Sequence, residues 1–120
     1  RILVVDDHPD ILASLALVLT SFGHQVQQAG TGAEALGLAA TFAPESVVLD
    51  IGLPDMDGHA VARALREQPR MANAVLIAMT GYGQPRDRER AYAAGFDHHL
   101  VKPARTRELL AVLDKRRDDG

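Results

Sequence analysis

The chain has 120 residues, the size of a single domain, and 47% of them are hydrophobic, as in an ordinary globular domain. Its 13 basic and 16 acidic side chains give a formal charge of −3, which argues against the broad basic face that nucleic-acid binding needs. The absence of cysteine excludes disulfides, thiol nucleophiles and cysteine-ligated zinc. The longest apolar runs have the length of strands and are far shorter than a membrane span.

Short apolar runs alternate with longer segments of helical periodicity. In chain order, the predicted elements are a strand over 2–5, a helix from Pro9 to Gly23, a strand over 26–29, a helix from Thr31 to about Phe42, a strand over 46–49, a helix from Asp57 through Leu65, a strand over 74–79, a helix through Ala91 and Ala94 to Gly95, a strand over 99–101 and a helix over 108–116.

Local signals support the starts of these helices. Pro9 is placed where proline favours the first turn of a helix. Thr31 and Glu34 have the spacing of a capping box, and Asp57 is a typical N-cap residue. Five strand–helix units with right-handed crossovers predict a doubly wound α/β fold, (βα)5, with an open parallel sheet and helices on both faces. Residues 1–120 are interpreted as one domain, and a start inside an apolar segment suggests a domain taken from a longer protein.

Polar residues follow four of the predicted strands. Asp6 and Asp7 follow the first strand, and Asp50, Thr80 and Lys102 follow the third, fourth and fifth. The carboxyl ends of parallel strands share one edge of the sheet, so these side chains are expected to converge there. Clustered carboxylates call for a cation, and Mg²⁺ prefers oxygen ligands. A carboxylate beside Mg²⁺ can attack phosphorus, while Lys and Thr can hold phosphoryl oxygens. The set predicts transfer of a phosphoryl group onto an aspartate.

Four motifs carry a family resemblance. They are Val-Val-Asp-Asp after the first strand, Leu-Asp-Ile-Gly-Leu-Pro-Asp-Met-Asp-Gly around Asp50, Met-Thr-Gly at Thr80 and Val-Lys-Pro at Lys102. Together they resemble the receiver domain of two-component response regulators, and the resemblance covers essentially the whole chain. It implies a flavodoxin-like five-stranded sheet with strand order 2-1-3-4-5.

The resemblance also implies a Mg²⁺ site, with Mn²⁺ as an alternative. Asp7 would bind the ion directly, and Asp6 would bind it directly or through water. The side chain of Asp50 and the backbone carbonyl of Gly52 would complete the protein ligands.

The same resemblance assigns the phosphoryl chemistry. Asp50 would be the phosphoacceptor, Lys102 would hold a phosphoryl oxygen, and Thr80 would move to hydrogen-bond the phosphoryl group. The peptide bond between Lys102 and Pro103 would be cis. The domain would catalyse only its own phosphorylation and dephosphorylation, while its parent protein could be a histidine kinase.

Two positions depart from the family pattern. Receivers usually have Tyr or Phe three residues before the conserved lysine, and this chain has His99. The bulky Tyr82 stands two residues after Thr80, near the expected mouth of the site. We expect His99 to be a smaller, titratable substitute for the aromatic switch residue.

The segment from Thr80 to Pro103 resembles receivers fused to the C-terminus of hybrid sensor histidine kinases. This predicts a histidine kinase or a histidine phosphotransfer domain as partner, in the bacterial cytoplasm, with a parent that could be membrane-anchored. The domain itself is expected to contact neither nucleic acid nor membrane, and it could dimerise on phosphorylation. A stand-alone single-domain regulator fits almost as well.

Two further classes stay open. An aspartate-nucleophile phosphatase would carry a second acid two positions after its first, where this chain has His8. A binding module of flavodoxin-like fold would never be phosphorylated.

Other candidates are given structural roles. Asp55 and Asp57 are interpreted as loop and helix-cap residues, adjacent His98 and His99 as a poor metal chelate, and no catalytic role is given to His8, His24 and His59.

Overall fold

Strands and helices alternate along the chain in a computed structural model that describes residues 1–81, 85–102 and 106–115, with side chains described as far as 113. The elements are β1 (Ile2–Val5), α1 (Pro9–Ser21), β2 (Val26–Ala29), α2 (Gly32–Phe42), β3 (Ser46–Asp50), α3 (Gly58–Glu67), a 3-10 turn (Pro69–Met71), β4 (Val75–Thr80), α4 (Pro85–Ala94), β5 (His98–Val101) and α5 (Thr106–Lys115).

The five strands form one parallel sheet in the order β2-β1-β3-β4-β5. The last residue of β1, Val5, pairs with Ala29 of β2 and with Leu49 of β3. At the far side of the sheet, Thr80 of β4 pairs with Val101 of β5. The register therefore brings the carboxyl ends of β1, β3, β4 and β5 to the same edge, and the predicted doubly wound fold is confirmed.

The core consists of two apolar clusters, one on each face of the sheet. Alternate residues of β1 divide between them: Leu3 and Val5 pack with α2, α3 and α4, whereas Ile2 and Val4 pack with α1 and α5. The central strands are buried on both faces, as the continuous apolar runs predict. A rigid, doubly covered sheet thus holds the strand ends in fixed relative positions.

Side chains cap the N-termini of α2 and α3, as predicted, with one difference at α2. Glu34 N donates to Thr31 Oγ1 at 3.1 Å, but the Glu34 carboxylate accepts from Gly30 N at 2.8 Å rather than from Thr31 N. Asp55 also caps α2: its carboxylate accepts hydrogen bonds from the first two backbone N–H groups of the helix, Gly32 N at 2.8 Å and Ala33 N at 3.1 Å. These bonds lower the pKa of Asp55 below its usual value. Asp57 is the N-cap of α3.

The remaining differences from the sequence prediction are small. Asp50 and Thr80 are the last residues of their strands rather than the first residues after them. The 3-10 turn after α3 is not predicted by the sequence pattern. Tyr82, the cis peptide expected before Pro103, and the end of the chain after residue 115 lie outside the described residues. Among the helices described, none is both long and apolar enough to span a bilayer.

Candidate phosphoacceptor site

Two carboxylates and one ammonium group meet at the carboxyl edge of the sheet. Lys102 Nζ lies 3.0 Å from Asp50 Oδ2 and 3.2 Å from Asp6 Oδ2. Asp6 follows β1, Asp50 ends β3 and Lys102 follows β5, so the site is assembled from three different strands. The side chains of Asp6 and Asp50 are less than a tenth exposed. The sequence prediction that these three residues converge agrees with this geometry.

Opposite charges keep Asp6 and Lys102 ionised. Burial alone would raise the pKa of Asp6, but hydrogen bonds from His8 and the nearby Lys102 ammonium outweigh it, so the pKa is lowered. Burial would likewise lower the pKa of Lys102, yet its contacts with Asp50 and Asp6 raise it above its usual value. The site therefore holds a fixed positive charge directly beside two carboxylates.

Asp7 joins the cluster through His8. The ring atom His8 Nδ1 lies 3.0 Å from Asp6 Oδ1 and 3.2 Å from Asp7 Oδ1. Asp6, Asp7, His8 and Asp50 can each place one ligand atom within 4.8 Å of all the others. Three carboxylates with this spacing suit a hard divalent cation that prefers oxygen ligands, so the residues present fit the expected Mg²⁺ site.

The loop after β3 is fixed around the predicted acceptor. Gly52 N donates to Asp50 Oδ1 at 3.1 Å, so one oxygen of this carboxylate is held by the backbone while the other faces Lys102. Gly58 N donates to Ile51 O at 3.0 Å, which ties the loop to the start of α3. The first bond fixes one oxygen of the Asp50 carboxylate, and the second fixes the loop that follows it.

An apolar groove of about 410 Å³ leads to this carboxylate. It runs between β1, α1 and the start of α5, and Asp6, Asp50 and Lys102 form its polar end. Apolar side chains of α1 and the sheet line the rest, including Ile11 and Met79. A reacting group can therefore approach Asp50 from the side of α1.

Thr80 lies in a neighbouring cavity rather than in the carboxylate cluster. This cavity of about 210 Å³ is lined by Thr80, Ile51 and the N-cap Asp57, together with His59 of α3 and Asp87 and Arg90 of α4. The backbone still connects Thr80 to the site, because Lys102 N donates to Thr80 O at 2.7 Å. The structure thus brings Asp6, Asp50 and Lys102 together, with Thr80 at the end of the neighbouring strand β4, beneath α4.

His99 is buried on the same face of the sheet as Thr80. It pairs with Ala78 on β4, so Thr80 lies two residues further along that strand. The residue is 8% exposed, and neither ring nitrogen has a hydrogen-bond partner within the described part of the protein. Burial, reinforced by the charge of Arg88, lowers the pKa of His99 below its usual value. Its ring is therefore held neutral in the resting arrangement.

Two histidines that the sequence analysis set aside contact functional groups. His8 touches both acidic side chains that follow β1. His59 is buried in the Thr80 cavity, where His59 Nδ1 lies 3.1 Å from Asp57 Oδ1 and its ring meets Phe96 edge-on. The one sequence signal for His8 is its position directly after two acidic residues, and an isolated His59 on an amphipathic helix carries no such signal.

Comparisons with known proteins identify the family of the chain. The sequence profile of the family described as response regulator receiver domain matches residues 2–114. The transcriptional regulatory protein KdpE of Mycobacterium tuberculosis is 42% identical over 112 residues, which cover 93% of this chain and 48% of that protein. The chain thus spans about half the length of the first curated relatives it matches.

Two solved structures have the same fold. The signal receiver domain of a signal transduction histidine kinase from Syntrophus aciditrophicus superposes with a TM-score of 0.87 and 29% identity, covering 98% of this chain and 89% of that one. A response regulator protein from Burkholderia pseudomallei was solved with a phosphorylated aspartic acid, a calcium ion and citrate. It superposes with a TM-score of 0.85 and 28% identity, covering 99% of this chain and 74% of that one. By its motifs, its fold and its family match over residues 2–114, the chain belongs to the response regulator receiver domain family.

Proposed function

We propose that this domain accepts a phosphoryl group from a phosphohistidine onto Asp50, with the help of Mg²⁺, and changes conformation as a result. The observation that carries the proposal is the contact of the Asp50 carboxylate with the Lys102 ammonium, 3.0 Å apart, beside the buried carboxylate of Asp6. The Burkholderia relative with a phosphorylated aspartic acid supports phosphoryl transfer as the chemistry of the fold.

The transfer balances with groups that the chain supplies. An oxygen of the Asp50 carboxylate attacks phosphorus as the P–N bond to the donor imidazole breaks, and a mixed carboxylic–phosphoric anhydride forms. The departing imidazole nitrogen takes its proton from solvent. Lys102 holds a phosphoryl oxygen and offsets the negative charge that the group brings to the site. Gly52 N keeps the other oxygen of Asp50 in place.

Asp6, Asp7 and Asp50 would hold the divalent cation, with the backbone carbonyl of Gly52 as a further ligand. When bound, Mg²⁺ supplies positive charge against the phosphoryl oxygens, and Mn²⁺ can replace it. Asp6 would exchange part of its contact with Lys102 for the cation. The Lys102 ammonium would then be free to turn toward the phosphoryl group.

We further propose that Thr80 and His99 transmit the change. Thr80 lies at the end of β4 and, through its hydroxyl, could hydrogen-bond a phosphoryl group on Asp50 after a local movement. His99 lies on the same face of the sheet, beneath α4. If His99→Ala leaves the phosphorylation-dependent NMR shifts of β5 and α4 unchanged, His99 is not the switch residue.

The phosphoryl donor in this proposal is a histidine kinase or a histidine phosphotransfer domain, and the transfer takes place in the cytoplasm. The segment from Thr80 to Pro103 resembles receivers of hybrid kinases, and a receiver of a histidine kinase from Syntrophus shares the fold. The curated relatives include the regulator KdpE, which favours the alternative of a separate response regulator. Phosphorylation-dependent dimerisation belongs to the same proposal and is measured by light scattering.

The test is a titration with beryllofluoride, a phosphoryl mimic, followed by NMR with and without Mg²⁺. We expect Mg²⁺-dependent binding with shifts at Asp50, Thr80 and α4, and no binding to the variant Asp50→Asn. Binding without Mg²⁺, or equal binding to the variant, contradicts the proposal. Steady turnover of a phosphate ester would instead indicate an aspartate-nucleophile phosphatase, and failure to bind Mg²⁺ would indicate a binding module that is not phosphorylated.

A further inference from the structure

His8 lies at the edge of the acidic cluster with its ring turned toward the carboxylates. It is the residue before α1, yet its side chain makes no capping hydrogen bond to that helix. Its side chain is 61% exposed, so packing does not fix the ring either. The contacts that hold the ring are those of Nδ1 with Asp6 Oδ1 and Asp7 Oδ1.

The spacing of these three atoms is that of N–H···O hydrogen bonds, and it equals that of neighbouring ligands around one metal ion. Ligands about 2.1 Å from an octahedral cation lie about 3 Å apart when they are adjacent. His8 Nδ1 lies 3.0 Å from the oxygen of Asp6 and 3.2 Å from that of Asp7. A ligand atom of Asp50 lies within 4.8 Å of the others.

The backbone holds this arrangement together. His8 N donates to Asp6 Oδ1 at 2.9 Å, so the same carboxylate oxygen accepts from the backbone and contacts the ring. The His8 ring therefore starts next to the carboxylates, and recruiting it as a ligand needs only a small movement. Asp7 is about a third exposed and can adjust with it.

We infer that His8 is a nitrogen ligand for first-row transition-metal ions at the site formed by Asp6, Asp7 and Asp50. The inference rests on the proposed function in placing a divalent cation on these carboxylates. The lone pair of Nδ1 forms the bond to the metal, and any proton on Nδ1 passes to solvent. Imidazole nitrogen is a preferred ligand of Ni²⁺ and Zn²⁺, and Mn²⁺ also accepts it although it favours oxygen, whereas Mg²⁺ keeps to oxygen ligands. His8 therefore sets the metal preference of the site.

The test uses the whole chain loaded with Mn²⁺ and pulsed EPR, which detects the ¹⁴N nucleus of a directly bound imidazole. The wild type is expected to show this coupling, His8→Phe to lose it and His24→Phe, which changes a histidine outside the cluster, to keep it. By calorimetry, His8→Phe is expected to lower Ni²⁺ affinity roughly 10-fold or more while changing Mg²⁺ affinity by less than about twofold.

The outcomes separate this inference from the proposed function. Mn²⁺ bound to the wild type without ¹⁴N coupling, or coupling that persists in His8→Phe, overturns the role of His8 and leaves the carboxylate site intact. Mn²⁺ binding that Asp7→Asn does not weaken overturns both the inference and the proposed metal site. Coupling that depends on both His8 and Asp7 supports the inference.

Discussion

The Nζ atom of Lys102 lies 3.2 Å from Oδ2 of Asp6, a residue 96 positions earlier in the chain. This ammonium also contacts Asp50, so it occupies the position between the two carboxylates where a cation is most strongly attracted. Lys102 therefore has two opposing effects in the proposed reaction. It competes with a divalent cation for Asp6, and it stabilises the negative charge of an incoming phosphoryl group.

Replacing Lys102 separates these effects. Lys102→Met is expected to bind Mg²⁺ more tightly, because the competing ammonium is gone, and to be phosphorylated about 100-fold more slowly by a small acyl phosphate, because one charge-stabilising donor is lost. Calorimetry and intact-mass kinetics measure the two quantities. Arg63→Met, which removes an exposed cation from α3, is the control and should change neither. Phosphorylation at the wild-type rate in Lys102→Met would contradict this role.

Arg66 connects the end of α3 to the turns that flank β4 and β5. Its guanidinium donates to Gly95 O at 2.9 and 3.0 Å, to Ala74 O at 2.6 Å and to Asp97 Oδ2 at 2.7 Å. Arg66→Ala leaves these acceptors without their donor, and we expect a loss of about 2–3 kcal/mol in the free energy of unfolding. Urea denaturation measures it, with exposed Arg63→Ala as the matched control. Equal stability of the two variants would show that the Arg66 contacts contribute nothing.

Gly58, the first residue of α3, has no room for a side chain. A Cβ atom there would lie 2.5 Å from the Cα atom of Ile51, which belongs to the backbone just after the proposed acceptor. We expect Gly58→Ala to destabilise the protein by about 1–3 kcal/mol, because the backbone must shift. It should also slow phosphorylation, since the loop around Asp50 moves.

The control for Gly58 lies in the middle of α2. Gly37 has open space around its Cα, so Gly37→Ala should stabilise the protein by about 0.5–1 kcal/mol through helix propensity alone. Thermal denaturation of both variants gives the comparison. If Gly58→Ala proves as stable as Gly37→Ala, the close approach to Ile51 does not constrain the loop.

Protonation of His99 is expected to lower the stability of the fold. Its pKa is lowered in the folded protein from the ordinary value of 6.5 by burial and by Arg88, so the unfolded chain binds its proton more readily. The contribution of neutral His99 is present above pH 6.5 and is lost as the pH falls through the folded pKa. His8 acts in the opposite direction, since its contact with Asp6 raises its pKa.

Comparing variants isolates the His99 contribution. The decrease in the free energy of unfolding between about pH 7.5 and 5.5 should be smaller in His99→Phe than in the wild type. Gly37→Ala, which changes no titratable group, should keep the wild-type dependence. Urea denaturation at each pH provides the data. The same pH dependence in His99→Phe and in the wild type would show that His99 does not titrate in this range.

The sequence predicts the fold and the convergence of the site because both follow from local patterns and from one topological rule. The three central strands, β1, β3 and β4, are buried and largely apolar runs, and parallel strands align the residues at their carboxyl ends, which brings Asp6, Asp50 and Lys102 together. The rest depends on side-chain geometry that no spacing encodes. Examples are the contacts of the His8 ring with two carboxylates and the hydrogen bonds that Arg66 donates to backbone carbonyls.

The buried position of His99 shows a different limit of sequence reasoning. Period-2 alternation puts His98 and His99 on opposite faces of β5, but it does not say which face lies beneath α4. Only the pairing of His99 with Ala78 decides that, because it puts His99 on the face that contains Thr80. A long-range register of this kind is a property of the assembled sheet.

The central claim is that Asp50 accepts a phosphoryl group with the help of Mg²⁺, and intact mass tests it most directly. Wild type and Asp50→Asn are incubated with a small acyl-phosphate donor, each with and without Mg²⁺. The account predicts one added phosphoryl group in the wild type with Mg²⁺, and none without Mg²⁺ or in the variant. Phosphorylation of Asp50→Asn to the wild-type extent, or of the wild type without Mg²⁺, would contradict it.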